Sequence, residues 1–175
     1  MKILKIFFMA LFLLLYYYES NYAWGNKKTL KELVDLAPVI VIGKVTNVES
    51  KFGENYGRKD FIFTYVTFEI ETALKGTTKG QTIIIKIPGG QIGNVAIGGE
   101  SGDRFKKDDE ALLFLREKDK IYYSICSSSG NLSIITKNDE KLIDCSLLKN
   151  NNSMVEKAEN IVCIINSFLL KEGVK

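Results

Sequence analysis

The side chains that could do chemistry in this chain are few and oddly assorted. There are three cysteines, Cys126, Cys145 and Cys163, and no histidine at any position. Without imidazole, the Ser-His and Cys-His nucleophile pairs, histidine-ligated zinc and the usual general base at neutral pH all drop out. Three scattered cysteines lack the short-spaced pairs of a structural zinc site, so no metal is expected. They allow three disulfide pairings, each leaving one thiol over. Cys126 and Cys145 fall on neighbouring predicted strands and are the pair expected to bridge, with all three reduced as the alternative. Cys163 lies in the last helix, where it reads as a small buried apolar residue.

Three further stretches invite a chemical reading. Ser127–Ser129 with Gly130 offers hydroxyls that a lysine could activate, but no strand-turn-helix frames them, and a Ser-rich turn is expected. Glu100, Asp103, Asp108, Asp109 and Glu110 form the densest acidic run. It has no calcium-loop spacing and is interrupted by Lys106 and Lys107, so it reads as a solvated turn. Pro88–Phe105, PGGQIGNVAIGGESGDRF, carries glycines at 89, 90, 93, 98, 99 and 102. Glycine-rich loops can cradle phosphate, yet no Gly-Lys-Ser/Thr follows and no helix opens here. The segment is expected to be a long connection without structure of its own. Loops of that kind often carry contacts, which nominates Gly89, Gly90, Gln91, Gly98, Gly99, Asp103 and Phe105 as a binding surface. No catalytic residue and no cofactor are expected.

The elements that must position these residues are mostly strands. Phe61–Gly76, FIFTYVTFEIETALKG, is the longest run of strand composition. From Val66 it alternates, with Val66, Phe68 and Ile70 on one face and Thr67, Glu69 and Glu71 on the other. Its first half is apolar on both faces and should be covered on both sides. Val39–Val48 is a central strand in which Gly43 marks a bulge or bend. Ser50–Asp60 reads as an exposed loop between the two. Gln81–Ile87 puts Ile83, Ile85 and Ile87 on one face, and Ala111–Arg116 is apolar throughout, as a strand buried on both faces. Ile121–Cys126, Leu132–Thr136 and Lys141–Cys145 complete the strands, the last two as a hairpin.

Helices are expected at the two ends. Thr29-Leu30-Lys31-Glu32 is a capping box, and Pro38 stops the helix that follows. Ser153-Met154-Val155-Glu156 is a second such box. After it, Ala158, Ile161, Ile165 and Phe168, widened by Val162 and Leu169, form an apolar stripe fit to pack on the strands. The fold class expected from this pattern is mainly β, a barrel or sandwich over residues 26–149, with a short N-terminal helix and a C-terminal amphipathic helix over 150–175.

Met1–Gly25 begins with Lys2 and Lys5 and runs apolar from Ile6 to Leu15. It fits an export signal better than a full membrane span, with cleavage expected before Asn26. An uncleaved anchor is the alternative, and the expected location is extracytoplasmic, periplasmic or secreted. The net charge is +3, too balanced for the basic stripe of a nucleic-acid binder.

The order of segments resembles a known family. A helix ending in Ala37-Pro38 runs into VIVIGKV; then come YVTFEIETALKG, IIIKIPGG, a Gly-rich connection and FKKDDEALLFL. Over about Leu30–Ile125 this is similar to exported bacterial domains of the netrin-like or tissue-inhibitor-of-metalloproteinases fold. The resemblance implies a five- to seven-stranded OB-like (netrin-like) barrel with helices at its side that binds protein and catalyses nothing. It departs in one respect: those inhibitors chelate the enzyme's zinc through an N-terminal, disulfide-tied Cys. Here the expected start is Asn26, with no Cys before Cys126, so the inhibitory group transfers to no residue.

The expected function is thus an exported, non-enzymatic protein-binding module acting through loops. Its partner would be another exported protein, a metalloprotease in the sharpest version, with no nucleic acid and no membrane contact beyond an uncleaved signal. The alternatives are a barrel for carbohydrate or another ligand, with Tyr56, Phe61, Phe63, Tyr65, Tyr122 and Tyr123 as stacking groups, and a structural component of the cell envelope.

Overall fold

In the computed structural model the described residues are 27–55, 57–98, 105–150, 154–171 and 173. The expected export segment and its expected cleavage position lie outside them. Helix α1 spans Leu30–Leu36 and is followed by strands β1 (Val39–Asn55), β2 (Arg58–Lys75) and β3 (Thr82–Pro88). A small hairpin, β4 (Gly90–Ile92) and β5 (Val95–Ile97), precedes β6 (Glu110–Lys118) and β7 (Ile121–Ser124). A 3-10 turn over Ser127–Gly130 leads to β8 (Asn131–Lys137), β9 (Glu140–Asp144), β10 (Val155–Lys157) and helix α2 (Ala158–Lys171).

The chain is mainly β, and eight of its strands form one sheet in the order β1-β2-β3-β7-β6-β8-β9-β10. That exceeds the five to seven strands expected, and the cause is a fork at β6. Its first residues, Glu110–Leu113, pair with β8, whereas Leu115–Lys118 pair with β7. The other edge of β6 pairs with β1, from Glu110 opposite Lys44 to Leu115 opposite Val39. Strand β3 meets β7 in parallel, Ile85 opposite Tyr122. All other pairings among the described strands are antiparallel.

Alternation along β1 and β6 divides the core in two. Val39, Val41 and Val45 join Ala111, Leu113 and Leu115 in one cluster with Val66, Phe68, Ile70, Ile83, Ile85 and Ile87. The intervening residues Ile40, Ile42, Leu112 and Phe114 face the other way, toward Leu33 and Val34 of α1 and Ile161, Ile165 and Leu169 of α2. Strands β1 and β6 are therefore covered on both faces, which is why ALLFLR lacks alternation. The stripe expected on α2 is the one that packs, with Ala158, Val162 and Phe168 partly buried at its margins.

Local chemistry sets the element ends. The Glu32 amide donates to Thr29 Oγ1 (3.2 Å) and the Thr29 amide donates to the Glu32 carboxylate (2.7 Å), completing the first capping box. These bonds hold the Glu32 carboxyl below its ordinary pKa. At the other end of α1, Lys75 Nζ donates to the Val34 carbonyl at 2.9 Å, a cation where the helix exposes its free carbonyls. The second predicted capping box does not mark the start of α2. Ser153 lies outside the described residues, and Val155–Lys157 is a strand paired with β9, so α2 begins only at Ala158.

Ser50–Asp60 is not a loop either: β1 and β2 stay paired out to Asn55 opposite Arg58, with a register shift between Gly53 and Asn55, and Gly57 at the turn has φ +79°. The polar composition there reflects a ribbon wetted on much of its surface, whose backbone still pairs across the ladder.

One ion-pair network ties the β8–β9 hairpin to β2 and β6. Lys141 on β9 reaches Glu110 on β6 (2.6 Å) and Glu71 on β2 (3.5 Å), and Glu110 Oε2 is closed off from solvent. The Glu110 carboxylate held against the ammonium raises the Lys141 pKa. A lysine whose pKa is raised on folding contributes fully below its unfolded value and loses that contribution as pH climbs through the folded one. Because the Lys141 side chain is 44% exposed, Lys141→Met should cost only about 1 kcal/mol at neutral pH. The gap between variant and parent should shrink above the ordinary lysine range. Urea titrations at neutral and alkaline pH measure both.

Candidate binding surface

The outer face of β1–β2–β3 gathers aromatic rings and cations. Register places Lys51, Phe63 and Pro88 side by side, then Glu49, Tyr65 and Lys86, with Phe61 opposite Gly53. The Phe61 and Phe63 rings lie 5.0 Å apart, tilted by 53°. Lys86 Nζ sits 3.9 Å from the Phe63 centroid and 5.7 Å from that of Tyr65, and Lys51 Nζ is 5.9 Å from Tyr65. Such contacts hold the ammonium groups over ring faces while the lysine stems cover apolar surface. Lys51 also pairs with Glu49 at 2.9 Å. Gly53 is required beneath this patch, since a Cβ there would stand 2.9 Å from the Phe63 ring.

Of the five described aromatics among those considered for stacking, Phe61, Phe63 and Tyr65 come together. Phe61 and Tyr65 are half-buried and Phe63 is buried. Tyr122 faces the inner cluster and donates to Glu117 at 3.3 Å; burial and the Glu117 charge push its phenol pKa up. Tyr123 stands apart with the Arg116 guanidinium 6.0 Å from its ring. Tyr56 lies outside the described residues. The two lysines of the patch carried no signal in the sequence, because only the strand register brings them beside the rings.

The glycine-rich stretch is more ordered than its composition indicates. Gly89 and Gly90 are buried. The Gly89 amide donates to the Ile62 carbonyl (2.9 Å), and its own carbonyl accepts from the buried Thr64 hydroxyl (2.8 Å). At Gly90, φ is +138°, and a Cβ would collide with Thr64 Oγ1 and stand 2.7 Å from Ser50 Oγ. The β4–β5 hairpin thus closes on the inner face of the β1–β2 ribbon. Phe105 belongs to the inner core at 9% exposure. Gly89, Gly90 and Phe105 are consequently packing elements, a correction to their nomination as surface contacts. Gln91 and Gly98 are exposed, the Gln91 amide donating to the Gly93 carbonyl at 2.9 Å. Gly99 and Asp103 lie outside the described residues.

The remaining reactive groups are dispersed among the described residues. The expected Cys126–Cys145 bridge is not formed, and all three cysteines are thiols. Cys126 sits past the end of β7 in a left-handed turn at φ +57°, so it is not the strand residue that neighbouring pairing requires. Burial pushes its thiol pKa up, against the opposing pull of Lys28. Cys145 Sγ donates to the Ile143 carbonyl at 3.6 Å. Cys163 is exposed on α2, not buried as expected, because the packed stripe runs through Ile161 and Ile165 and leaves it on the flank. In the acidic run, Asp108 pairs with Lys44 (2.8 Å) and the Asp109 carboxylate accepts the Lys106 amide (2.6 Å). Glu100 lies outside the described residues. Among those described, no group of three potential metal ligands converges. The Ser129 hydroxyl donates to the Leu147 carbonyl at 3.4 Å.

No helix among the described residues is long and apolar enough to cross a membrane. No protein-family model matches the chain, and no curated protein matches it.

Proposed function

We propose that this chain is an exported, non-enzymatic protein-binding module built on an OB-like, netrin-like barrel. The barrel reading is supported by the pairing circuit, which runs β1–β2–β3–β7–β6 and returns to β1, with one parallel junction at β3–β7. Export is supported by the basic start and apolar run of Met1–Gly25. The observation that carries the binding reading is the patch of Phe61, Phe63 and Tyr65 bordered by Lys51 and Lys86 on the outer face of β1–β3. Rings held rigidly beside cations supply contact area at low entropic cost, the usual make-up of a binding hot spot. The partner is another exported protein, and inhibition of an exported metalloprotease is the sharpest version.

The test compares pull-downs from the extracytoplasmic fraction using the parent protein and Phe61→Ala, Tyr65→Ala and Lys86→Glu. Affinity for the captured partner should fall by about tenfold or more in each variant. Equal capture by parent and variants would remove the face from the reading. Turnover of an ester, peptide or phosphoester panel above background would remove the non-enzymatic claim. A second reading, an oligosaccharide site, is favoured by the same rings because OB-type barrels bind such ligands on the face of their second and third strands. A glycan array that captures the parent but not Tyr65→Ala would establish it instead.

A further inference from the structure

We propose that the cavity where β8 leaves β6 is a binding site for a small neutral carboxamide. Its volume is about 210 Å³, and it is lined by Phe105, Ala111, Asn131, Ser133 and Leu147. Asn131 is only 7% exposed, and neither its Oδ1 nor its Nδ2 has a hydrogen-bond partner among the described residues. Folded proteins leave very few buried polar atoms in that condition, and a whole side-chain amide with both ends unused is rarer still. Strand pairing explains why it stays there. Asn131 is opposite Leu113 and Ser133 opposite Ala111, while Leu132 and Ile134 point into the helix-side core. The amide is therefore held on the other face of β8 by the same alternation that buries its neighbours.

The lining chemistry selects the ligand class. A primary amide presents a donor and an acceptor side by side in one plane, and its complement is a group with the same edge, as in a second carboxamide. No charged side chain lines the cavity, so an ion there would lose its hydration uncompensated. Phe105, Ala111 and Leu147 favour a short apolar body behind the amide. An engineered cavity of about 150 Å³ accepts benzene, so this volume suits a compound of similar or slightly larger size. Ser133 is exposed and adds a hydroxyl on the solvent side. The site uses none of the residues of the β1–β3 patch and stands independently of its role.

The test is an NMR titration of the full chain with isobutyramide and, separately, 3-methylbutan-2-one, which has the same shape but cannot donate. Isobutyramide should shift the Asn131 side-chain NH₂ and the Ala111 and Leu147 methyl signals saturably, and bind about tenfold or more tighter than the ketone. Asn131→Leu should abolish that preference without lowering the melting temperature, since it removes an unpaired polar group from the interior. Equal affinity for the two probes, or no saturable shift with either, overturns the proposal. The comparison on the parent protein decides the matter even if Asn131→Leu does not fold.

Discussion

Phe114→Ala is expected to destabilise the protein by about 3–5 kcal/mol, the usual cost of truncating a fully buried aromatic. Phe114 is 0% exposed and pairs with Ile40. It belongs to the cluster that joins the sheet to Leu33 and Val34 of α1 and to Ile161, Ile165 and Leu169 of α2. Neither helix can close the resulting hole easily. Helix α1 is fixed at one end by its capping box and at the other by Lys75, and α2 follows directly from a strand paired into the sheet. A domain of this size has roughly 5–15 kcal/mol of stability in all, so the variant should sit close to its unfolding threshold. Chemical denaturation monitored by far-ultraviolet circular dichroism measures the loss. A cost under about 1 kcal/mol would mean that the helices do not dock on this face.

The parts of this architecture that could be read from the sequence are those where one rule acts alone. Val66, Phe68 and Ile70 alternate with polar residues because β2 has one face on the inner core and the other toward solvent, and all three are buried. Ala111–Leu115 is apolar without a break because β6 lies between the two clusters, and every one of those residues is buried. Thr29 and Glu32 announce the start of α1 because both halves of a capping box are local. Gly43 marks a bend, and the register of β1 against β2 does shift between Ile42 and Gly43.

What composition concealed depends on partners distant in the chain. The Ser50–Asp60 ribbon looks like a loop because its side chains are polar, yet its ladder bonds are made by backbone, which carries no sequence signature. Val155–Lys157 looks like the first turn of a helix, and only the neighbouring β9 edge makes it a strand. The same holds at the candidate sites. Gly89 and Gly90 have the composition of a mobile loop, but Thr64, Ile62 and Ser50, far back in the sequence, fasten them to the ribbon. Lys51 and Lys86 acquire their place beside Phe63 and Tyr65 only through register. The Asn131 amide is likewise an ordinary polar side chain until the β6–β8 pairing encloses it.

Gly43 supplies the second large effect, and its sign runs against the usual expectation. Glycine to alanine in an extended strand ordinarily stabilises by about 0.4–1 kcal/mol, because the unfolded chain loses freedom. At Gly43 the strand is paired on both edges, with Ile70 of β2 and Ala111 of β6. An added Cβ would run into the Glu69 carbonyl oxygen and stand 2.8 Å from the Phe68 ring. The obstacle is main chain, so no rotamer change relieves it, and Phe68 is itself fully buried. To admit the methyl group, β1 and β2 must part where both also form the wall of the inner core. Overpacking of this kind costs about 1–3 kcal/mol where side chains can adjust, and more where they cannot. Gly43→Ala should therefore lose about 3 kcal/mol or more, and Gly43→Val should fail to fold. Gly98→Ala provides the comparison: no atom of the described residues lies within 4 Å of a Cβ added there, and its stability should match or slightly exceed the parent's. If Gly43→Ala and Gly98→Ala melt at the same temperature, β1 is not clamped between β2 and β6, and the two-edged pairing on which the inner core depends is wrong.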